Sequence, residues 1–293
     1  MYYRQKILLS LLEKCGGRLT NTDLEKLLFL YCQKTNSEHY DFFPYKYGGF
    51  SFVSYYDKRK LTDAGILVDV DRFELATSES FFPQLKPLDR TSIRNFVAQT
   101  KHLRGKKLVR TVYKEYPTYA LRSEVASKIL PEDEYAQVRK HWVVDNKPTL
   151  LTIGYEGLSI DAYLNKLIMN NVMALVDVRA NPVSRKFGFS KMILQNNTEM
   201  INIKYIHIPE LGISSRLRKN LSGRDSYRDL FDNYEKQILP NQSKSLEEIK
   251  ALVRQFGRIA LTCFEADHTM CHRHLLADSI HNTLESKVPV RHL

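Results

Sequence analysis

Apolar residues recur at helical spacing over residues 3–14 and again over 21–34. In the second run Leu24, Leu27, Leu28 and Tyr31 share one face, and Asn21 or Thr22 can cap its start. The aromatic, glycine-punctuated stretch FFPYKYGGFS follows, then a third helical pattern through Phe52, Tyr55, Tyr56 and Leu61 that stops at Ala64-Gly65. ILVDVD and FELAT then read as a small two-stranded ribbon. Helix, helix, turn, helix and wing is the order of a winged helix, a fold that sets a helix in a nucleic-acid groove. Residues 101–114, KHLRGKKLVRTVYK, carry six Lys and Arg and no acid on a largely helical run. Lys101, Arg104, Lys106, Lys107 and Arg110 are therefore the expected phosphate contacts, against the alternative of an ordinary solvated helix face. A further helix at 131–142 leads to Lys147-Pro148, the expected boundary between domains 1–147 and 148–293.

The pattern then changes to short apolar runs alternating with helices. LLTIGY (150–155), MALVDVR (173–179), KYIHIP (204–209), RIALTCFE (258–265) and the terminal VPVRHL predict five strands. Helices are predicted over 158–170, near 190–201, over 226–239 and 245–256, and through CHRHLLADSIHNTL. This alternation predicts a Rossmann-like parallel sheet with helices on both faces, hence an α/β domain after a mainly helical, winged-helix-like one. Such sheets bind ligands beyond the carboxyl ends of their strands. The polar residues gather there. Tyr155-Glu156-Gly157 follow the first strand, Asp177 and Arg179 end the second, with Asn181 and Arg185 beyond, and His207 ends the third. Cys263 and Glu265 end the fourth, and Cys271-His272-Arg273 open the next helix. Convergence from four strand ends is an active-site signal.

Composition narrows the class. The 293 residues suffice for two domains, and 43% hydrophobic residues can build their cores. Mean hydropathy is −0.37. No apolar run approaches the roughly 18 residues that a membrane helix needs, and MYYRQKILLSLLEK reads as a helix and not a signal peptide. Four cysteines, Cys15, Cys32, Cys263 and Cys271, do not form a disulfide framework, so a cytoplasmic protein with no membrane partner is expected. The net charge is +11, from 25 Lys and Arg against 18 Asp and Glu before Pro148 and 19 against 15 from there on. That surplus favours a polyanionic partner, most simply nucleic acid and preferably DNA. Oligomeric state is left open.

TIGYEG, VDVRANPVSRKFGFS, IHIPELG, CFEADHTMCHRHLLAD and the terminal VRHL together resemble the domain of unknown function 488 family over nearly all of residues 149–293. The resemblance implies an α/β domain with a polar pocket at these motifs, but no reaction. VYKEYPTYALRSEVASKIL is similar to a segment that accompanies this domain in longer members. KLLFLYCQ with YKYGGFSFVSYYDKRKL resembles winged-helix modules of some antitoxins and regulators over about residues 1–75.

Three chemistries fit the strand-end residues. Glycosidic cleavage needs a carboxylate near the anomeric carbon and a proton donor for the departing base. Glu156, Asp177 and Glu265 supply carboxylates, His272 a proton, Tyr155 a stacking ring, Asn181 a polar contact, and Arg179, Arg185 and Arg273 anion contacts. A cysteine nucleophile at Cys271 would draw a lowered pKa from its helix start and Arg273, although its loop lacks the glycines of a phosphate cradle. Metal ligation by His268, Cys271, His272 and His274, with Cys263 near, meets the objection that His272 and His274 face different sides of one helix. No metal site and no cofactor is therefore assigned, and a divalent metal held by the acids stays compatible. The expected function is a nucleic-acid-directed hydrolase acting on a base or its N-glycosidic bond, glycosylase-like, with defence against modified or foreign DNA as a fitting setting. The alternatives are a winged-helix regulator with a nucleotide-sensing α/β domain, a Cys-dependent sulfur- or phosphoryl-transfer enzyme, and a metal-dependent nuclease.

Overall fold

The computed structural model describes residues 1–142, 144–214, 217, 223–284 and 287–293, with the side chains of 223–225 left aside. The chain forms two compact units, Met1–Val143 and Val144–Leu293.

The first unit is mostly helical. Its elements are α1 (Tyr3–Lys14), β1 (Arg18–Leu19), α2 (Asn21–Thr35), β2 (Phe43–Tyr45), β3 (Gly48–Phe50), α3 (Phe52–Asp63), β4 (Phe73–Glu74), α4 (Pro87–Thr100), α5 (Gly105–Glu115), α6 (Ala126–Ile129) and α7 (Glu132–Arg139). Helix α2 is capped one residue earlier than expected, by Thr20, whose hydroxyl accepts from Asp23 N at 3.0 Å. Every residue from Asp23 to Cys32 is buried, so this helix is central to the core and not an amphipathic surface element. The stretch FFPYKYGGFS closes as a hairpin, β2 against β3, with Tyr45 opposite Gly48. The ribbon after α3 is present as the Leu67–Leu75 bridge, and β4 also pairs antiparallel with β1.

The second unit holds β5 (Thr149–Gly154), α8 (Ile160–Met169), β6 (Ala174–Asp177), α9 (Lys191–Met200), β7 (Lys204–His207), α10 (Gly223–Asn233), α11 (Ser243–Phe256), β8 (Arg258–Cys263), α12 (Arg273–Thr283) and β9 (Val290–His292). The five strands form one all-parallel sheet in the order β7-β6-β8-β5-β9, flanked by helices. All six residues of β5 and of β8 are buried, which is why their apolar residues, Leu150, Leu151 and Ile153 in β5 and Ile259, Ala260 and Leu261 in β8, show no alternation. Each fully buried Leu, Ile or Val there contributes about 1.5–3 kcal/mol. Strand β8 returns late in the chain and inserts between β5 and β6, so Gly154 pairs with Cys263 and Asp177 with Thr262. The three central strands therefore deliver their carboxyl ends side by side.

Two glycines let the connecting loops close over that edge. A Cβ on Gly154 would stand 1.7 Å from the Glu265 carbonyl oxygen, and one on Gly212 would stand 2.2 Å from Ala180 N. Backbone can pack at these points only where no side chain intervenes. Among the described residues no helix is long and apolar enough to cross a membrane.

Candidate functional site

Asp177, at the end of β6, is fully buried. Its Oδ1 accepts from Arg179 N at 3.1 Å and Arg179 Nε at 2.8 Å, and its Oδ2 from Arg179 Nη2 at 2.5 Å and Tyr205 Oη at 2.6 Å. Arg179 Nη1 donates to Tyr155 Oη at 3.0 Å and to the Phe189 carbonyl at 2.9 Å. Burial opposes the Arg179 charge, but the bidentate Asp177 carboxylate outweighs it and holds the guanidinium firmly protonated. Both side chains are consumed by this arrangement. Asp177 is thus a positioning residue for Arg179, and Arg179 anchors the loop after β6, where acid/base and substrate-holding roles were expected.

The anchored loop forms one wall of a cleft of about 320 Å³ at the carboxyl edge, lined among others by Tyr155, Arg179, Asn181, Ser184, Arg185, Cys263 and Phe264. The Tyr155 ring stacks on Phe189 at 4.3 Å and 11° and meets Phe264 edge-on at 5.3 Å and 78°. Phe264 is 43% exposed, an open aromatic surface held in place by its neighbours. Asn181 and Arg185 are exposed at the cleft. Lys186 crosses the loop to donate to the Tyr155 carbonyl at 3.0 Å. Glu156, next in the chain, is exposed, and its Oε2 accepts from Ala266 N at 2.9 Å.

A second cavity of about 230 Å³ is lined by Tyr227, Leu230, Phe231, Glu265, Met270, Cys271 and His272, and shares Ile213 with the first. Behind it the strand-end Cys263 and the helix-start pair Cys271 and His272 come together. Cys263 Sγ lies 4.0 Å and Cys271 Sγ 3.8 Å from His272 Nδ1. The other ring nitrogen, Nε2, faces the Val178 carbonyl at 3.4 Å, and Tyr234 packs edge-on against the ring. All three residues are buried, so His272 is not directed outward as a proton donor. The Cys271 pKa moves up, opposite to the lowering that its position before a helix suggests. Burial, then the adjacent Cys263 thiol, push its pKa well up, and Arg273 only partly offsets them. Arg273 itself is buried and donates Nη1 to the Glu265 carbonyl at 2.6 Å and Nη2 to the Ala266 carbonyl at 3.0 Å. It pins the β8–α12 loop as Arg179 pins the other.

His268 and His274, the remaining sequence candidates for metal, are not part of this cluster. His268 stacks on His292 at 3.8 Å, and His274 Nδ1 lies 2.6 Å from the Cys271 carbonyl oxygen. Phe189, Tyr205 and Phe264 were not singled out from the sequence. Phe264 had a legible signal, an aromatic between Cys263 and Glu265 at a strand end.

In the first unit Lys101, Lys106 and Lys107 are exposed. Arg104 instead turns back to the end of α4, donating to the Leu103 carbonyl at 2.5 Å and the Thr100 carbonyl at 3.2 Å. Arg110 is gripped by Glu134 through two bonds of 2.7 and 2.9 Å, with Lys114 on the same carboxylate at 2.7 Å. The inner face of α5 packs Leu108, Val109, Val112 and Tyr113 into the core, leaving the lysines outward.

Residues 159–280 match the model of the family described as Domain of unknown function DUF488. No curated protein and no solved structure matches the chain.

Proposed function

With residues 159–280 matching the model of the family described as Domain of unknown function DUF488, we propose that the protein is a nucleic-acid-directed hydrolase acting on a base or its N-glycosidic bond. The observation that carries this reading is the exposed Phe264 on the wall of the 320 Å³ cleft, backed by the Tyr155–Phe189 stack and flanked by Asn181 and Arg185. An aromatic platform beside amide and guanidinium donors suits a single unstacked nucleotide, and the volume lies at the small-ligand end of the range. A duplex does not enter such a cleft, so the nucleotide is taken from a single strand or flipped.

Glu156 is the carboxylate in this reading that faces solvent beside the cleft, fixed by the Ala266 amide; it stabilises oxocarbenium character or orients water. Glu265 is a second acid, lining the adjoining cavity. Arg185 meets the phosphate, and Lys101, Lys106 and Lys107 in the first unit add a sequence-independent attraction for the same polymer.

The full chain is to be incubated with single- and double-stranded oligonucleotides, normal and base-modified, and the products separated into free base, abasic strand and broken strand. Free base or abasic strand in proportion to enzyme supports the reading. Intact oligonucleotide throughout, with no measurable binding, overturns it.

A further inference from the structure

We propose that Cys263, Cys271 and His272 form a zinc site whose fourth position opens into the cavity lined by Glu265 and Met270. Nothing in the proposed substrate chemistry requires this site, and it stands whether or not the substrate is a nucleotide.

Two Sγ atoms and His272 Nδ1 all lie within 4.8 Å of one another, with the two S–N separations at 3.8 and 4.0 Å. Zn–S bonds of about 2.3 Å and Zn–N bonds of about 2.0–2.1 Å at tetrahedral angles place such atoms roughly 3.6 Å (S–N) and 3.8 Å (S–S) apart. The two S–N separations thus exceed their metal-bound value by only about 0.2–0.4 Å. The set of two thiols and one imidazole is that of a tetrahedral zinc site rather than of a hard cation, which takes oxygen ligands.

The surroundings point the same way. His272 turns Nδ1 to the thiols and Nε2 to the Val178 carbonyl at 3.4 Å. A zinc-bound histidine needs this arrangement, since the outer nitrogen donates to a backbone carbonyl and leaves the inner lone pair for the metal. All three residues are buried, yet Cys271 and His272 also line a cavity of about 230 Å³. Two thiolates and a divalent ion form a neutral unit, which a buried position accepts far better than two bare anions. Three protein ligands, two of them lining a cavity, match the pattern of a zinc that takes water or a substrate atom as its fourth ligand. Glu265 lines that cavity without being one of the three clustered residues, a place from which a carboxylate orients water instead of binding metal.

The sequence alone argued against a metal because His272 and His274 leave a helix on different sides. The ligand that resolves this comes from β8. Cys263 at the strand end supplies the third donor, and His274 is not needed.

The test uses the full chain, purified without chelator. Inductively coupled plasma mass spectrometry should find about one zinc per chain, and replacement by Co²⁺ should give intense sulfur-to-cobalt charge-transfer absorption together with the strong visible bands of tetrahedral cobalt. Cys263→Ser and His272→Ala should each weaken zinc by more than the roughly 10–100-fold that outer-shell changes cost, while His272→Cys should retain it. Should those variants fail to fold, wild-type protein answers alone: zinc should protect Cys263 and Cys271 from alkylation and a chelator should expose them. Zinc in fewer than one chain in ten with no charge-transfer band on cobalt addition overturns the proposal. So does a Cys263–Cys271 disulfide in protein purified under reducing conditions, or undiminished cobalt–sulfur bands in a Cys263→Ala, Cys271→Ala double variant.

Discussion

Replacing Asp177 by Asn keeps the side chain's shape and removes its charge, which separates positioning from catalysis. The carboxylate receives four hydrogen bonds, three from Arg179 and one from Tyr205, at 2.5–3.1 Å. In the variant one oxygen remains, and the new amide directs N–H groups at a guanidinium or a hydroxyl that already donates. The buried Arg179 then lacks a counter-charge. Removing one partner of a buried pair costs about 3–5 kcal/mol. For a unit of this size each kcal/mol lowers the melting temperature by roughly 2–4 °C, so a fall of roughly 6–20 °C follows. Circular dichroism gives the melting shift, and hydrogen exchange read on peptides covering 150–214 localises it. The loop 180–189 should exchange fastest, because Arg179 loses its orientation toward the Phe189 carbonyl. Loss of less than about 1 kcal/mol, with unchanged exchange in that loop, would refute the anchoring role.

Gly154→Ala should destabilise the second unit severely or prevent its folding, since its Cβ would overlap backbone at 1.7 Å; a soluble variant with wild-type melting temperature contradicts this. Charge reversal at Lys106 and Lys107 should weaken oligonucleotide binding and flatten its salt dependence by up to about one unit per lost phosphate contact. Arg110→Ala should do less, because Glu134 already holds that guanidinium. Glu134 is held down to about pH 2, first by its bond to Arg110 and then by that to Lys114. A depressed acid keeps its pairing above its ordinary value and loses it as pH falls through the lowered one, so carboxyl titration by NMR should find this clamp intact at pH 4. Cys32, pushed up to about 12 by burial, should resist alkylation at pH 8 in folded protein and react on unfolding.

The central strands of the sheet were legible because they are buried on both sides and read as short apolar runs, as in Ala174–Val176 and Ile259–Leu261. Strand ends were legible for the same reason, since polarity begins where burial stops. Which of those polar groups face a ligand was not. Asp177 and Arg179 are two residues apart, so they leave an extended strand on one side, and that spacing does foretell their pairing. Nothing local foretells that Tyr155, Tyr205 and Phe189 complete the enclosure, because those contacts span 10 to 28 residues. The Cys263–Cys271–His272 cluster depends on a loop that folds back on Gly154. In the first unit, the basic run was legible, but Arg104 donates to the Thr100 and Leu103 carbonyls at and just past the end of α4, and Arg110 answers a glutamate 24 positions on. Composition counts charges and cannot tell a paired one from one turned to solvent.

The most direct test of the account compares base-release rates of wild type, Glu156→Gln and Phe264→Ala at matched folded concentration. Wild type should release base or leave abasic strand. Glu156→Gln should retain oligonucleotide binding and lose about 10²–10⁴ in rate, while Phe264→Ala should weaken binding by roughly 1–3 kcal/mol, about 5- to 150-fold. Release by Glu156→Gln within threefold of wild type, or unchanged affinity in Phe264→Ala, would contradict the assignment of this cleft and its carboxylate.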